Sequence, residues 1–357
     1  MLFLMTGRVC AMETDEIVEA QADAIGLDTL QQAAEEYVPD IDWTEHINLE
    51  DGLSKLLETG IDALNGVLKK AVRSGVLLLI IVLLTGLADG ASVLGSEKTI
   101  RAVPIAAVLA ITAVSVTDVN TLIGLGREVI ENMELFSKVL LPTITTAIAA
   151  SGAPGGAAAR QLAVMLFSDV LVSLINRLLL PLVYVYIAAC TACAVVGNEG
   201  LKRITSTLKW VITSILTAVL LAFVGYLSIS GAIAGTTDAV TIKAAKFTMS
   251  NMVPVVGGIL SDAAETVLAG AGILKNTVGV IGMLVVIGMC LLPFMQLGIH
   301  YLVYKVTATL AATVSDSRIT NLIDGIGGAF GLVLGMTGAC ATVLLISMVS
   351  AITLVNS

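Results

Sequence analysis

Residues 161–197 read QLAVMLFSDVLVSLINRLLLPLVYVYIAACTACAVVG, and this apolar block decides the fold class. Wound as an α-helix rising 1.5 Å per residue, it would be roughly 55 Å long, whereas a bilayer's hydrocarbon core is about 30 Å thick. It is therefore a membrane crossing too long for one ordinary span. Asn176, Arg177 and Pro181 mark where it should bend or divide, giving either one kinked helix or two shorter ones.

The rest of the chain extends the pattern. Hydrophobic residues make up 57% of its 357 positions, charged residues only 13%, and the mean hydropathy is +0.96. These values fit an all-α, polytopic integral membrane protein and exclude an ordinary soluble core. Further spans are expected at residues 74–93, 102–116, 208–233, 277–310 (with a break near Pro293) and 328–354. The expected total is six to eight spans, with broken or re-entrant helices. Residues 121–141, carrying Glu128, Glu131, Glu134 and Lys138, read as an amphipathic connector leading to Pro142. An internal repeat is suggested by spacing: Pro142 and Pro181 are 39 residues apart, as are Pro254 and Pro293, with 112 residues between the pairs. Leu179 and Leu180 precede one second proline, and Leu291 and Leu292 the other. Transport folds are often built from paired, proline-interrupted segments, while coincidence in a leucine-rich chain is the alternative.

Charge divides the chain in two. The formal net charge is -9, but residues 1–68 hold 15 acidic and 2 basic side chains, and the remainder holds 13 acidic and 17 basic. An acidic N-terminal helical segment (1–68) thus precedes a mildly basic membrane domain (69–357), a balance that argues against nucleic acid as a partner. The opening MLFLMTGRVCAMETDE has a short apolar run that reads as the remnant of an export signal. Lys69, Lys70 and Arg73 flank one end of the first span, and Lys98 and Arg101 the other, so the positive-inside rule leaves orientation open. His46 among scattered carboxylates reads as solvated surface, because a metal needs convergent ligands. Cys190 and Cys193 form a C-x-x-C inside YIAACTACAVV, without a neighbouring base to favour a thiolate, and read as packing residues. No phosphate loop, metal cluster or nucleophile arrangement is visible, so neither a catalytic role nor a cofactor is expected.

Several polar residues at membrane depth are candidates for function. Asp169, Ser173, Asn176 and Arg177 return to nearly one helical azimuth and suggest a pore or interaction face, or a structural pairing between helices. His300 is either a proton relay or a packed histidine, with Tyr301, Tyr304 and Lys305 as interfacial neighbours. Gly327, Gly331, Gly335 and Ala339 form a small-residue stripe for helix packing, within one chain or between copies in a homo-oligomer. The stretch 235–282 mixes polar helical turns with Gly and Pro. In it, Lys243 and Lys246 share one amphipathic helix ended by Pro254, Asp262 and Glu265 share the next, and Lys275 precedes another span.

Within that stretch, TTDAVTIKAAKFTMSNMVPVVG (236–257) and DAAETVLAGAGILKNTVGVIG (262–282) resemble the stage III sporulation protein AE family of endospore-forming bacteria. The resemblance extends over the multi-span part of the chain. It implies a multi-pass component of the mother-cell membrane around the forespore, in a channel or secretion-like complex that supports late forespore gene expression. The implied role is platform or pore. The implied partners are the other stage III sporulation A proteins and the forespore partner protein Q, besides membrane lipids. Lys243, Lys246, Asp262, Glu265, Lys275, Asp169, Asn176 and Arg177 are the pore or interaction candidates read from the residues themselves. A self-contained secondary transporter of a small solute is the competing reading.

Overall fold

A computed structural model describes residues 27–35, 37, 49–92, 97–150, 154–252 and 257–353, and among them no strand occurs. The elements are α1 (Leu27–Glu35), α2 (Leu49–Ser92), α3 (Glu97–Ala150), α4 (Pro154–Leu174), a π-helical turn (Ile175–Leu179), α5 (Leu180–Val196), α6 (Glu199–Met252), α7 (Gly257–Ala311) and α8 (Ser317–Thr353). Six helices in the described residues are long and apolar enough to cross a membrane. Helix is the solution such sequences must adopt, because hydrocarbon offers backbone N–H and C=O groups no partners outside their own segment.

Proline does less to this backbone than the sequence suggests. Pro104 and Pro142 lie inside α3, so residues 121–141 are the interior of a 54-residue helix rather than a connector. Pro293 lies inside the 55-residue α7, which runs on where a break was expected. An interior proline costs about 3 kcal/mol through its lost hydrogen bond and ring clash. Burial of α7 outweighs that cost, since 56% of its most apolar window is enclosed by the protein. Only Pro181 leaves a clear mark. The π-helical turn precedes it, and Leu180 N–H reaches back five residues to the carbonyl of Ile175. Of the two readings of residues 161–197, one continuous helical path with a local distortion is what forms. The two second prolines of the suggested repeat, Pro181 and Pro293, accordingly sit in different local structure, and Pro254 lies outside the described residues.

Glycine contacts fix how the helices run. A Cβ on Gly60, Gly75 or Gly86 of α2 would meet Leu291, Val303 and Val314 respectively, so α2 runs parallel to the α7 side of the bundle. Gly327 and Gly338 of α8 lie against Tyr304 and Phe294 of α7, in antiparallel order. Gly126 of α3 faces Val333 of α8, and Gly282 faces both Leu140 of α3 and Met348 of α8, making α3 parallel to α8. The turns at 197–198 and 312–316 therefore share one end of the molecule. α7 and α8 form the centre, each with 56% of its apolar window buried, and α6 lies at the edge with 11%. α1 docks on α3 and α7 through Leu30 and Ala34, both fully buried. α2 runs without interruption across residues 68 and 69, joining the acidic segment to the first span. The residues read as an export signal, and His46, lie outside the described residues.

The exposed apolar side chains of α2 (Val72, Val76, Leu77, Ile80, Leu83, Leu84 and Leu87) recur at helical spacing and form a lipid-facing stripe. Gly327 is the tightest crossing in the stripe of small residues: its missing Cβ would lie 2.9 Å from Tyr304 Cβ and 3.7 Å from the α7 backbone. Gly327→Ala is expected to cost about 1–3 kcal/mol by forcing α7 and α8 apart, read as a lower melting temperature in detergent. Gly335→Ala, whose nearest neighbour is Leu216 at 3.8 Å, should leave the melt within about 0.5 kcal/mol of the parent.

Candidate functional site

Between α3, α7 and α8 the apolar interior is interrupted by a polar seam. Ser115 and Asp118 stand one turn apart on α3 and are buried, Asp118 retaining 6% exposure. Tyr304 of α7, fully buried, donates its hydroxyl hydrogen to Asp118 Oδ2 at 2.8 Å, with Ser115 Oγ at 3.3 Å. His300, one turn earlier on α7, is buried too, and its Nδ1 lies 2.7 Å from the carbonyl of Gln296. A carbonyl only accepts, so Nδ1 carries the hydrogen and Nε2 keeps its lone pair in the neutral ring. Phe330 of α8 closes the seam, meeting the Tyr304 ring edge-on at 5.1 Å and the His300 ring at 6.3 Å.

A carboxyl group in an apolar bundle strongly disfavours standing ionised and alone, and no cation lies within ion-pair distance of Asp118 among the described residues. Asp118 is thus held by the Tyr304 hydroxyl, which ties α3 to α7 inside the bundle. The sequence carried a signal for it: Asp118 is the only charged residue between Arg101 and Arg127. Tyr304 was expected at the membrane interface, and the structure instead buries it, because its hydroxyl finds a partner across the helix boundary. Lys305, next to it, points outward and pairs with Asp324 of α8 at 2.5 Å. Both partners of that pair are partly exposed, so Lys305→Ala is expected to cost only about 0.2–1 kcal/mol in a thermal melt.

The residues singled out from the sequence are spread more widely. Asp169, Ser173 and Arg177 do share a face, and it is an exposed one on the outside of α4 and the π-helical turn. Eight residues separate Asp169 from Arg177, roughly 12 Å along a helix, and no ion pair joins them among the described residues. Asn176 is half-buried, with its Oδ1 enclosed and without a hydrogen-bond partner among the described residues. Gly327 and Gly331 pack within the chain against Tyr304 and Tyr301, and Gly335 is exposed. Lys243 and Lys246 fall in the last turns of α6, and Asp262, Glu265 and Lys275 in the first half of α7. Their side chains lie outside the described ones. α6 is described to Met252 and is continuous with the preceding span; Val253 and Pro254, where the pre-proline restriction places a helix end, lie outside the described residues. Cys190, Cys290 and Cys340 are buried thiols, Cys193 is partly buried, and no group of metal-ligating side chains converges among the described residues.

Comparison with known proteins places this bundle. The family model for stage III sporulation protein AE matches residues 41–355. A relative in Bacillus subtilis (strain 168), stage III sporulation protein AE, is 26% identical over 202 residues, 57% of this chain and 51% of the relative. The matched region thus spans about half the length of that relative. No solved structure matches. With the family model covering nearly the whole helical bundle, this chain belongs to the stage III sporulation protein AE family.

Proposed function

We propose that the protein is a non-catalytic membrane platform in the channel or secretion-like complex between mother cell and forespore, acting in the mother-cell membrane and supporting late forespore gene expression. Its expected partners are the other stage III sporulation A proteins and the forespore partner protein Q. One observation carries the reading. α3, α6 and α7 have 54, 54 and 55 residues, roughly 80 Å each, against about 30 Å of hydrocarbon. Such helices offer long surfaces outside the bilayer, on which other chains can assemble. The bundle centre is filled by Ile111, Leu122, Ile130, Leu140, Phe330 and Met336, which favours a conduit formed between chains over one through a single copy.

The test is purification of the full chain from sporulating cells in mild detergent, followed by mass spectrometry of what stays bound. Co-recovery of the other sporulation-complex proteins is expected, and a reproducibly solitary protein would overturn the platform reading. A self-contained secondary transporter is the second reading, favoured by the buried Asp118 seam. It requires solute uptake by vesicles containing this protein alone, abolished in Asp118→Asn.

A further inference from the structure

At the end of the bundle where α5 turns into α6 and α7 into α8 lies a cavity of about 320 Å³. Its floor is Cys190, Cys193, Ala194 and Leu322, and its rim carries Glu199, Lys202, Asp316 and Arg318. The frame is fixed by local chemistry. Gly197 ends α5 in the left-handed region (φ 68°) and donates its N–H to the Cys193 carbonyl at 2.8 Å. Its lack of a side chain lets the Arg318 guanidinium lie across the turn, since a Cβ would stand 2.3 Å from Arg318 Cζ. Asn198 Oδ1 accepts from Gly200 N–H at 2.7 Å and caps the start of α6.

The rim holds two cations and two carboxylates; Asp316 Oδ1 accepts from Ser317 Oγ at 3.2 Å and Arg318 N–H at 3.4 Å, and the remaining charged atoms are loosely engaged. Lys202 Nζ is 3.9 Å from Glu199 Oε1, and Arg318 Nε is 3.8 Å from Asp316 Oδ2. Both separations exceed hydrogen-bond length, so Glu199, Lys202, the Arg318 guanidinium and Asp316 Oδ2 keep capacity for a ligand. The cavity is also oriented. Its thiol and aliphatic floor belongs to the membrane-spanning parts of α5 and α8, while its charged rim sits at the helix ends. Lys209 and Trp210 follow on α6, with Trp210 68% exposed, as side chains do at headgroup depth.

We propose that this cavity binds the headgroup of an amine-bearing zwitterionic phospholipid, with its phosphate between Lys202 and Arg318 and its ammonium against Glu199 and Asp316. A purely anionic headgroup would leave both carboxylates facing added negative charge. A choline headgroup brings a positive charge but no N–H for the carboxylates to accept. Free phosphoethanolamine shares the recognised chemistry and is the alternative source of the ligand.

The experiment uses the full chain in phosphatidylcholine nanodiscs containing equal minor fractions of phosphatidylethanolamine and phosphatidylglycerol, with retained lipids read by native mass spectrometry. Phosphatidylethanolamine should be retained in preference to both others. Lys202→Ala should lower phosphatidylethanolamine retention about tenfold by removing one charge-assisted contact to the phosphate, and Arg318→Ala at least as much. Asp316→Asn should shift retention towards phosphatidylglycerol. Lys138→Ala, on the outside of α3, should change nothing. Lys202 is 57% exposed, so its removal leaves packing intact and keeps the test open if Arg318→Ala fails to fold. Competition by soluble glycerophosphoethanolamine would support the headgroup chemistry and assign it to a free ligand as well as a lipid. Equal retention of the three lipids, or phosphatidylglycerol enrichment unchanged by Asp316→Asn, would overturn the proposal.

Discussion

Phe330→Ala is expected to destabilise the protein by about 3–5 kcal/mol, the range found when a buried aromatic ring is deleted and its cavity cannot collapse. Phe330 is fully buried on α8 and touches the two aromatic groups of the seam, Tyr304 at an interplanar angle of 86° and His300 at 82°. Three losses coincide: the transfer free energy of the ring, its dispersion contacts, and about 0.5–1.5 kcal/mol for each edge-to-face pair. The apparent melting temperature in detergent should fall on the order of 10 °C, measured by the fraction still eluting as a single peak after heating. Leu135→Ala, on an exposed face of α3, is the matched control and should stay within about 0.5 kcal/mol of the parent. An unchanged melt for Phe330→Ala would mean that α7 and α8 do not form the structural centre.

How far the sequence predicted this arrangement depends on what each residue has to know. The apolar blocks were legible because burying them needs no knowledge of neighbours. Helix continuity was not. Pro293 read as a break and Pro142 as the end of a connector, yet their cost is smaller than what long helices gain by packing, and that gain resides in residues far along the chain. Residues 121–141 misled for a related reason: an amphipathic helix looks like a surface connector until the partner on its apolar side is known. Asp169, Ser173 and Arg177 are all exposed, while Asn176, grouped with them by periodicity, is half-buried, and periodicity cannot say that such a face points outward. The Ser115–Asp118–Tyr304 seam joins positions 186 and 189 residues apart, a separation at which no spacing rule operates.

The seam also yields the measurement that separates architecture from function. Tyr304→Phe removes the hydroxyl that donates to Asp118, leaving a buried carboxyl short of its donor at a cost of about 1–3 kcal/mol, more if the group is ionised. Asp118→Leu alone leaves the Tyr304 hydroxyl only its longer contact with Ser115 Oγ and should cost up to a similar amount. The double variant removes both partners and replaces them with apolar groups, a change that is often nearly neutral. Its melting temperature is therefore expected to recover most of what either single variant loses. Spore formation in cells carrying only the variant protein then decides the role. If the double variant restores both folding and spores, Asp118 and Tyr304 serve to fix the register of α3 against α7. If it folds like the parent, reaches the membrane and still makes no spores, the polar groups of the seam are themselves required, because packing has been restored and only those groups are missing.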